Sequence, residues 1–529
     1  MADCRAFYGF DESYFAQRNC ANTAAEIAGQ PALWRALSEA LRAKKQEIAD
    51  FMGGLRDSGG LGDQGGLGSL GGLGDQGGSG GLGSLGVPGS LRDPGSLGDP
   101  SGLGGLGNPP NLRIVLTGAG SSAFVGEALA CFAASASGIK CEAVHTTDIV
   151  SAPDATLFDD IPTLLISFAR SGNSPESAGA VQYARKRIKR LYEAAIICDG
   201  ASSLSKITAE SDKSFVLLMP DGSNDKGFAM TASFTCMLLA GFAMLNYGKI
   251  DEIADDICTL SDTVESGATK MSEIAMQLAQ KPFDRAVYLA CGAYKGLAHE
   301  GSLKMMELTN GGVNASFDSA TGFRHGPKTV IKDKTLSLHF ISNNRFTANY
   351  DLDLLREMSG EKKGNIIAAL YTGHTDPHKY PDSPGHPDSP GCPDSPGSNG
   401  TPERTAPPIH PYSPGSNGTP WRTDSPIHPD SPGCPDSPVH PVSSGRPDSP
   451  VHTDSPGYSS DLAADFAYNI KSGGYGVAAD ICAGINGIVF FQMLAMHKSL
   501  SLGINTDNPS AGGQVNRVVK GVRIYPLPS

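Results

Sequence analysis

From residue 112 onward the chain repeats one unit: an apolar run too short for a helix, a turn, and then, in most cases, a helix. LRIVLTG (112–118), KCEAVHT (140–146), PTLLISF (162–168), EAAIICD (193–199) and KSFVLLMP (213–220) are such runs, and a long apolar helix follows at 229–247. After a helical stretch at 251–280 the alternation starts again. RAVYLACG (285–292), VNASFD (313–318), TLSLHFIS (335–342) and GNIIAALYT (364–372) are its runs, with helices through Asn310 and over 346–358. Short apolar strands alternating with helices call for parallel sheets covered on both faces. The second round of alternation predicts an α/β protein of two doubly wound halves, completed by a last helix at 478–500.

Two tracts stand outside this pattern. Residues 53–110 are built from GGLGDQGGLGSL and its variants, and residues 373–457 from PDSPG repeats. Proline every few residues blocks helix and central strand alike, so both tracts are expected as disordered insertions. Seven of the twelve histidines fall in the second tract, but without a preferred geometry they make a poor metal site. Removing 373–457 should therefore leave the chemistry intact. The expected order is a helical segment (1–52), the glycine tract (53–110), a first α/β half (111–250), a second half (251–372), the proline tract (373–457), and the rest of the second half with a C-terminal tail (458–529). In the helical segment, Thr23 to Glu26 reads as a capping box, and a second helix is expected from Pro31.

A net charge of −13 without a Lys/Arg cluster argues against nucleic acid. No run of about 18 apolar residues suggests a membrane span, and MADCRAFYGFDESYF lacks the features of a signal peptide. Eleven cysteines without a CxxC pair read as reduced thiols, so a cytoplasmic setting is expected.

The turns after the strands carry the function, because ligands of open parallel sheets sit at the carboxyl ends of strands. TGAGSSA (117–123) matches the GxGxxA dinucleotide fingerprint. That motif also needs an acid at the far end of the next strand, and Glu142 lies near its start instead. SFARSGNSPES (167–177) is rich in hydroxyls. Ser121 and Ser122 open one helix, and Ser171 and Ser174 another. Two helix starts plus hydroxyls suit a phosphate monoester, which brings three oxygens and nearly two negative charges. Simple helix capping would explain one serine per helix.

At these turns the sequence resembles the sugar isomerase (SIS) superfamily, whose serine turns bind the phosphate of a sugar phosphate. ARSGNSPES, NDKGFAMTASFT, FRHGPK, YDLDLLRE and VNRVVKGVRIYP together resemble a narrower group. These are the tagatose-6-phosphate ketose/aldose isomerase-like proteins, regarded as galactosamine-6-phosphate deaminase/isomerases. The resemblance implies flavodoxin-like SIS halves and places Ser122, Ser171 and Ser174 on the phosphate, with Ser121 beside them and Arg170 contributing through its backbone amide. It makes Glu307 the proton-shuttling carboxylate, His325 the ring-opening histidine and Lys520 the lysine of the tail. Lys304 stands one helical turn before Glu307. Ala169 replaces the first serine of the family turn, so the cage has one hydroxyl fewer.

Moving a proton between C1 and C2 needs a ring-opening acid/base, a base that reaches both carbons and a group facing the developing oxyanion. Lys304 or Lys520 suits the last role. With a 2-amino sugar the same shift yields an imine that water hydrolyses to a ketose phosphate and ammonia. No metal or redox cofactor is called for. The alternatives are a plain isomerase and a non-catalytic sugar-phosphate sensor. The resemblance further implies a homodimer or larger assembly, since in related folds the histidine comes from a neighbouring subunit.

Overall fold

The computed structural model describes residues 6–7, 9–58, 112–372, 464–470, 476–519 and 521–527. Nearly all of the two low-complexity tracts, and Lys520, lie outside the described residues.

Two five-stranded sheets form the frame. The first contains β1 (Arg113–Thr117), β2 (Glu142–Ala143), β3 (Thr163–Ala169), β4 (Leu191–Ile197) and β5 (Ser214–Leu218) in the order β2-β1-β3-β4-β5. The second contains β6 (Arg285–Leu289), β7 (Asn314–Asp318), β8 (Thr335–Phe340), β9 (Ile366–Thr372) and β10 (Phe466–Ile470) in the order β10-β9-β8-β6-β7. Every ladder in both sheets is parallel. Numbered within its own half, each sheet has the order 2-1-3-4-5, the flavodoxin-like winding expected from the sequence. The winding reverses between β1 and β3, which leaves a crevice at their carboxyl ends.

The helices that matter are α1 (Ala21–Ala43), α2 (Lys45–Ser58), α3 (Ser121–Ser137), α4 (Pro175–Arg187), α5 (Ala232–Leu245), α6 (Ile250–Ala279), α7 (Tyr294–Leu308), α8 (Arg345–Gly360) and α9 (Ala479–Ser501). One continuous apolar core joins the facing sides of both halves, with α3, α5, α7 and α9 at its centre. Two smaller clusters cover the outer faces. Helix α9 is long and apolar enough to cross a membrane, yet it is buried in this core. Its apolarity is that of a core helix.

Three local expectations are corrected. Pro31 does not begin a helix; it lies inside the continuous α1. Proline removes the amide that would have bonded to the carbonyl of Ile27, and the side-chain amide of Gln30 donates to that carbonyl instead, at 3.1 Å. Thr23 and Glu26 make no capping box. Asp507 accepts from the Thr23 amide (2.8 Å) and hydroxyl (2.8 Å), while Glu26 accepts from the amides of Lys226 and Gly227. Finally, only Glu142–Ala143 of the run at 140–146 pairs in the sheet. The Glu142 carboxylate is taken by Arg113 at 2.7 Å, far from the role a nucleotide ribose would require.

Candidate active site

The turn from β1 into α3 is shaped by backbone crowding. A Cβ on Gly118 would come within 2.5 Å of the Ser122 backbone, and Gly120 has φ +56°. The carbonyl of Gly118 accepts from both the amide and the hydroxyl of Thr146, at 2.8 and 3.1 Å, which ties the turn to the end of β2. Helix α3 starts without a side-chain cap. Its first serines are therefore not caps. The Ser121 hydroxyl donates to Glu300 Oε1 (3.1 Å), and the Ser122 hydroxyl faces the sulfur of Met230 at 3.8 Å.

Across the crevice, the turn from β3 into α4 holds Arg170, Ser171 and Ser174. Gly172 has φ +60°, and a Cβ there would meet the Ser202 hydroxyl at 2.5 Å. Ser174 does cap its helix: its hydroxyl accepts from the Ser177 amide (3.3 Å) and pairs with the Ser177 hydroxyl (2.8 Å). Asn173 donates to the Ser171 carbonyl (2.9 Å) and accepts from the Ser203 amide (3.0 Å), which fixes the loop between them. The guanidinium of Arg170 is buried and donates to two carbonyls, Phe228 (3.1 Å) and Arg517 (2.8 Å). Burial, together with the like charge of Arg517, lowers its pKa. It is a desolvated cation beside the turn, bonded to carbonyls and to no carboxylate.

Helix α7 of the second half runs against α3. Contact is close because Gly296 has no side chain: a Cβ there would reach 2.7 Å from the Ala128 amide nitrogen. Glu300, Lys304 and Glu307 follow at spacings of four and three, on one face of α7. Lys304 Nζ donates to Glu307 Oε2 (2.5 Å) and Ser121 Oγ (3.0 Å), and lies 3.3 Å from Glu300 Oε1. Side-chain exposure is 0% for Glu300, 1% for Lys304 and 26% for Glu307. Glu307 is thus the member that reaches the open side. Burial pushes the Glu300 carboxyl up to about 7. Burial presses on Lys304 too, but Glu300 and Glu307 hold it above its ordinary value, charged. With these three partners around its ammonium, Lys304 braces Glu307 against Ser121.

The structure therefore unites Ser121, Lys304 and Glu307, and faces Ser122 across the crevice from Arg170, Ser171 and Ser174. It does not bring in His325. That residue is exposed in a loop fastened to α8 by Arg324–Glu357 (2.7 Å) and Lys328–Glu361 (2.8 Å). Lys520 lies outside the described residues, but the neighbouring tail crosses the site: Arg517 donates to the carbonyls of Gly227 (3.2 Å) and Asp225. Sequence reading passed over Glu300, although its spacing to Lys304 and Glu307 was a usable signal. It also passed over Asp225, whose buried carboxylate accepts from Thr231, Ala232 and Ser233 and fixes the loop beside Ser122.

Comparison with known proteins adds the following. Residues 109–247 match the family model described as SIS domain. D-galactosamine-6-phosphate deaminase AgaS of Escherichia coli is 42% identical over 271 residues, 50% of this chain and 69% of that protein. The protein of the same name from Shewanella sp. (strain ANA-3) is 30% identical over 421 residues, 79% of this chain and 83% of its own length. Among solved structures, a Clostridium novyi NT protein assigned as a tagatose-6-phosphate ketose/aldose isomerase superposes with a TM-score of 0.70 at 29% identity. That alignment covers 99% of this chain and 100% of the other.

Proposed function

This chain belongs to the AgaS family of D-galactosamine-6-phosphate deaminases, and from that premise we propose that it converts galactosamine 6-phosphate into tagatose 6-phosphate and ammonia. The observation that carries the reading is the braced carboxylate of Glu307, set by Lys304 against the first serine of the phosphate turn.

The phosphate lies in the crevice between β1 and β3. Ser122, Ser171 and Ser174 offer hydroxyls to it, and the start of α3 offers positive potential. Arg170 contributes charge through a desolvated guanidinium, which acts over a longer range than the backbone amide alone. With the phosphate fixed, the other end of the open-chain sugar extends toward Glu307. Glu307 takes the proton from C2, leaving an enolamine, and returns it to C1. The product carries a C2=N bond; water adds to C2, and the nitrogen departs as ammonia. Lys304 holds the Glu307 carboxylate in place through its ammonium.

Ring opening is assigned to His325. Its exposure on a loop anchored to α8 supports delivery into the crevice of a second copy, so the active unit is a homodimer or larger assembly. Lys520, on the tail that Arg170 holds through the Arg517 carbonyl, is assigned to the developing oxyanion. The reaction takes place in the cytoplasm.

The test is ammonia release from galactosamine 6-phosphate, run beside glucosamine 6-phosphate and tagatose 6-phosphate. Ammonia and tagatose 6-phosphate from the galacto substrate are expected. Conversion of tagatose 6-phosphate to an aldose without ammonia would make the protein a plain isomerase. Binding without turnover would make it a sensor.

A further inference from the structure

A second polar cluster sits on the same pair of helices, outside the crevice. Glu127 of α3 places one carboxylate oxygen 2.8 Å from His145 Nε2 and the other 2.8 Å from His299 Nδ1. The three residues come from three places: α3, the end of β2 in the first half, and α7 in the second. The His299 ring is stacked between Phe124 of α3, with centroids 3.6 Å apart, and Phe317 of β7, at 3.8 Å. Exposure of 22–29% puts the cluster at the rim, where it is neither core nor free surface.

Its position on the helices gives it a use. Along α7, His299 immediately precedes Glu300 and lies two turns before Glu307. Along α3, Glu127 lies nearly two turns after Ser121. The two helices touch at Ser121 with Glu300 and Lys304, at Ala128 with Gly296, and at Glu127 with His299. Ser121 and Ser122 and the proton-moving carboxylate belong to different halves, and this helix pair links them directly. We propose that the His145–Glu127–His299 bridge is a positioning element for the reaction. It holds the helix bearing Glu307 in register with the helix that opens with Ser121 and Ser122.

The bridge has a definite pH range. Burial alone would raise Glu127, but the bonds from His145 and His299 hold it down at about 2; the bond to Glu127 raises His145. The other charged or titratable groups around it are Cys131 on α3, Lys295 on α7 and Asp148 beside His145. A depressed carboxylate contributes above its unfolded value of 4.5, and this is lost as pH falls toward 2. A raised imidazole contributes fully below its unfolded value of 6.5, and this is lost as pH rises through its folded value. The ionic bridge is therefore strongest between those two values and fades toward alkaline pH.

This inference rests on the proposed reaction, and the experiment separates the two. Glu127→Gln, His299→Gln and the double variant are compared with the full-length protein well below all their melting temperatures. In Glu127→Gln, kcat for galactosamine 6-phosphate should fall about tenfold with KM within about twofold, because misalignment costs chemistry rather than phosphate binding. The ratio of wild-type to variant kcat should be largest near pH 6 and shrink toward pH 9. The double variant should be no worse than the poorer single one. Hydrogen exchange of the α7 amides at 303–308 should quicken in Glu127→Gln, whether or not the wild type releases ammonia. Unchanged kcat, a pH-independent ratio, a rise in KM alone, additive losses, or unchanged exchange at 303–308 would each overturn the assignment.

Discussion

Glu300→Gln should change how stability depends on pH. The Glu300 side chain is 0% exposed, and burial pushes its carboxyl up to about 7 even though Lys304 pulls it down. In the unfolded chain the same group titrates near 4.5. A carboxyl raised on folding leaves stability intact below the unfolded value and erodes it as pH climbs through the folded one. The shift of about 2.5 pH units, at about 1.36 kcal/mol each, comes to about 3 kcal/mol. Gln has the same shape, keeps an oxygen for Ser121 and Lys304, and does not titrate. The wild type should therefore lose about 3 kcal/mol relative to Glu300→Gln between about pH 4.5 and about pH 8.5. Urea unfolding at intervals across that range, read as midpoints at constant slope, measures the gap. Parallel curves, or a wild type that gains on the variant as pH rises, would show that Glu300 is ionised throughout and that the account of the Lys304 brace is wrong.

Glu307→Gln should lower turnover by about 10²–10⁴-fold while calorimetric binding of the sugar phosphate persists. Loss of binding instead would place Glu307 in the phosphate site. Arg170→Met removes a buried charge and its bond to the tail; a loss of about 2 kcal/mol corresponds to a KM about thirtyfold higher. An unchanged KM would leave Arg170 a purely structural brace. Deletion of residues 373–457 should leave ammonia release intact, and loss of turnover in a folded deletion variant would refute that.

The alternation of short runs and helices was enough to place nine of the ten sheet strands: those buried on both faces are mostly apolar, and the partly exposed ones at 142–143, 214–218 and 314–318 still fell into step with it. The tenth, Phe466–Ile470, was not legible. It is short, carries the polar Asn469, and follows a proline tract that gives no periodic signal. Serines at the two turns were legible as helix-start residues, and the geometry sorts them: Ser174 caps its helix, whereas Ser121 and Ser122 leave theirs uncapped. What the sequence concealed are contacts between residues far apart in the chain. Lys304 read as one helical turn before Glu307, and only the approach of α3 reveals that Ser121 joins them. The Thr23–Glu26 box failed for the same reason. Each member found a stronger partner on a distant loop than its local neighbour offered.

The partnership of Thr23 with Asp507 also bears on the order of assembly. Helix α1 leaves the ribosome long before its cap, a carboxylate encoded 484 residues after Thr23. At about 5–20 residues per second, that cap arrives roughly half a minute or more after the helix it serves. Until then the start of α1 remains unfinished; its apolar side can meet α5 and α6 earlier, but α9, at the centre of the core, is itself completed only just before Asp507. Nascent chains of this protein should thus depend on chaperone shelter late into synthesis. Truncations that remove only the residues around Asp507 should harm solubility far more than their small contribution to the core suggests.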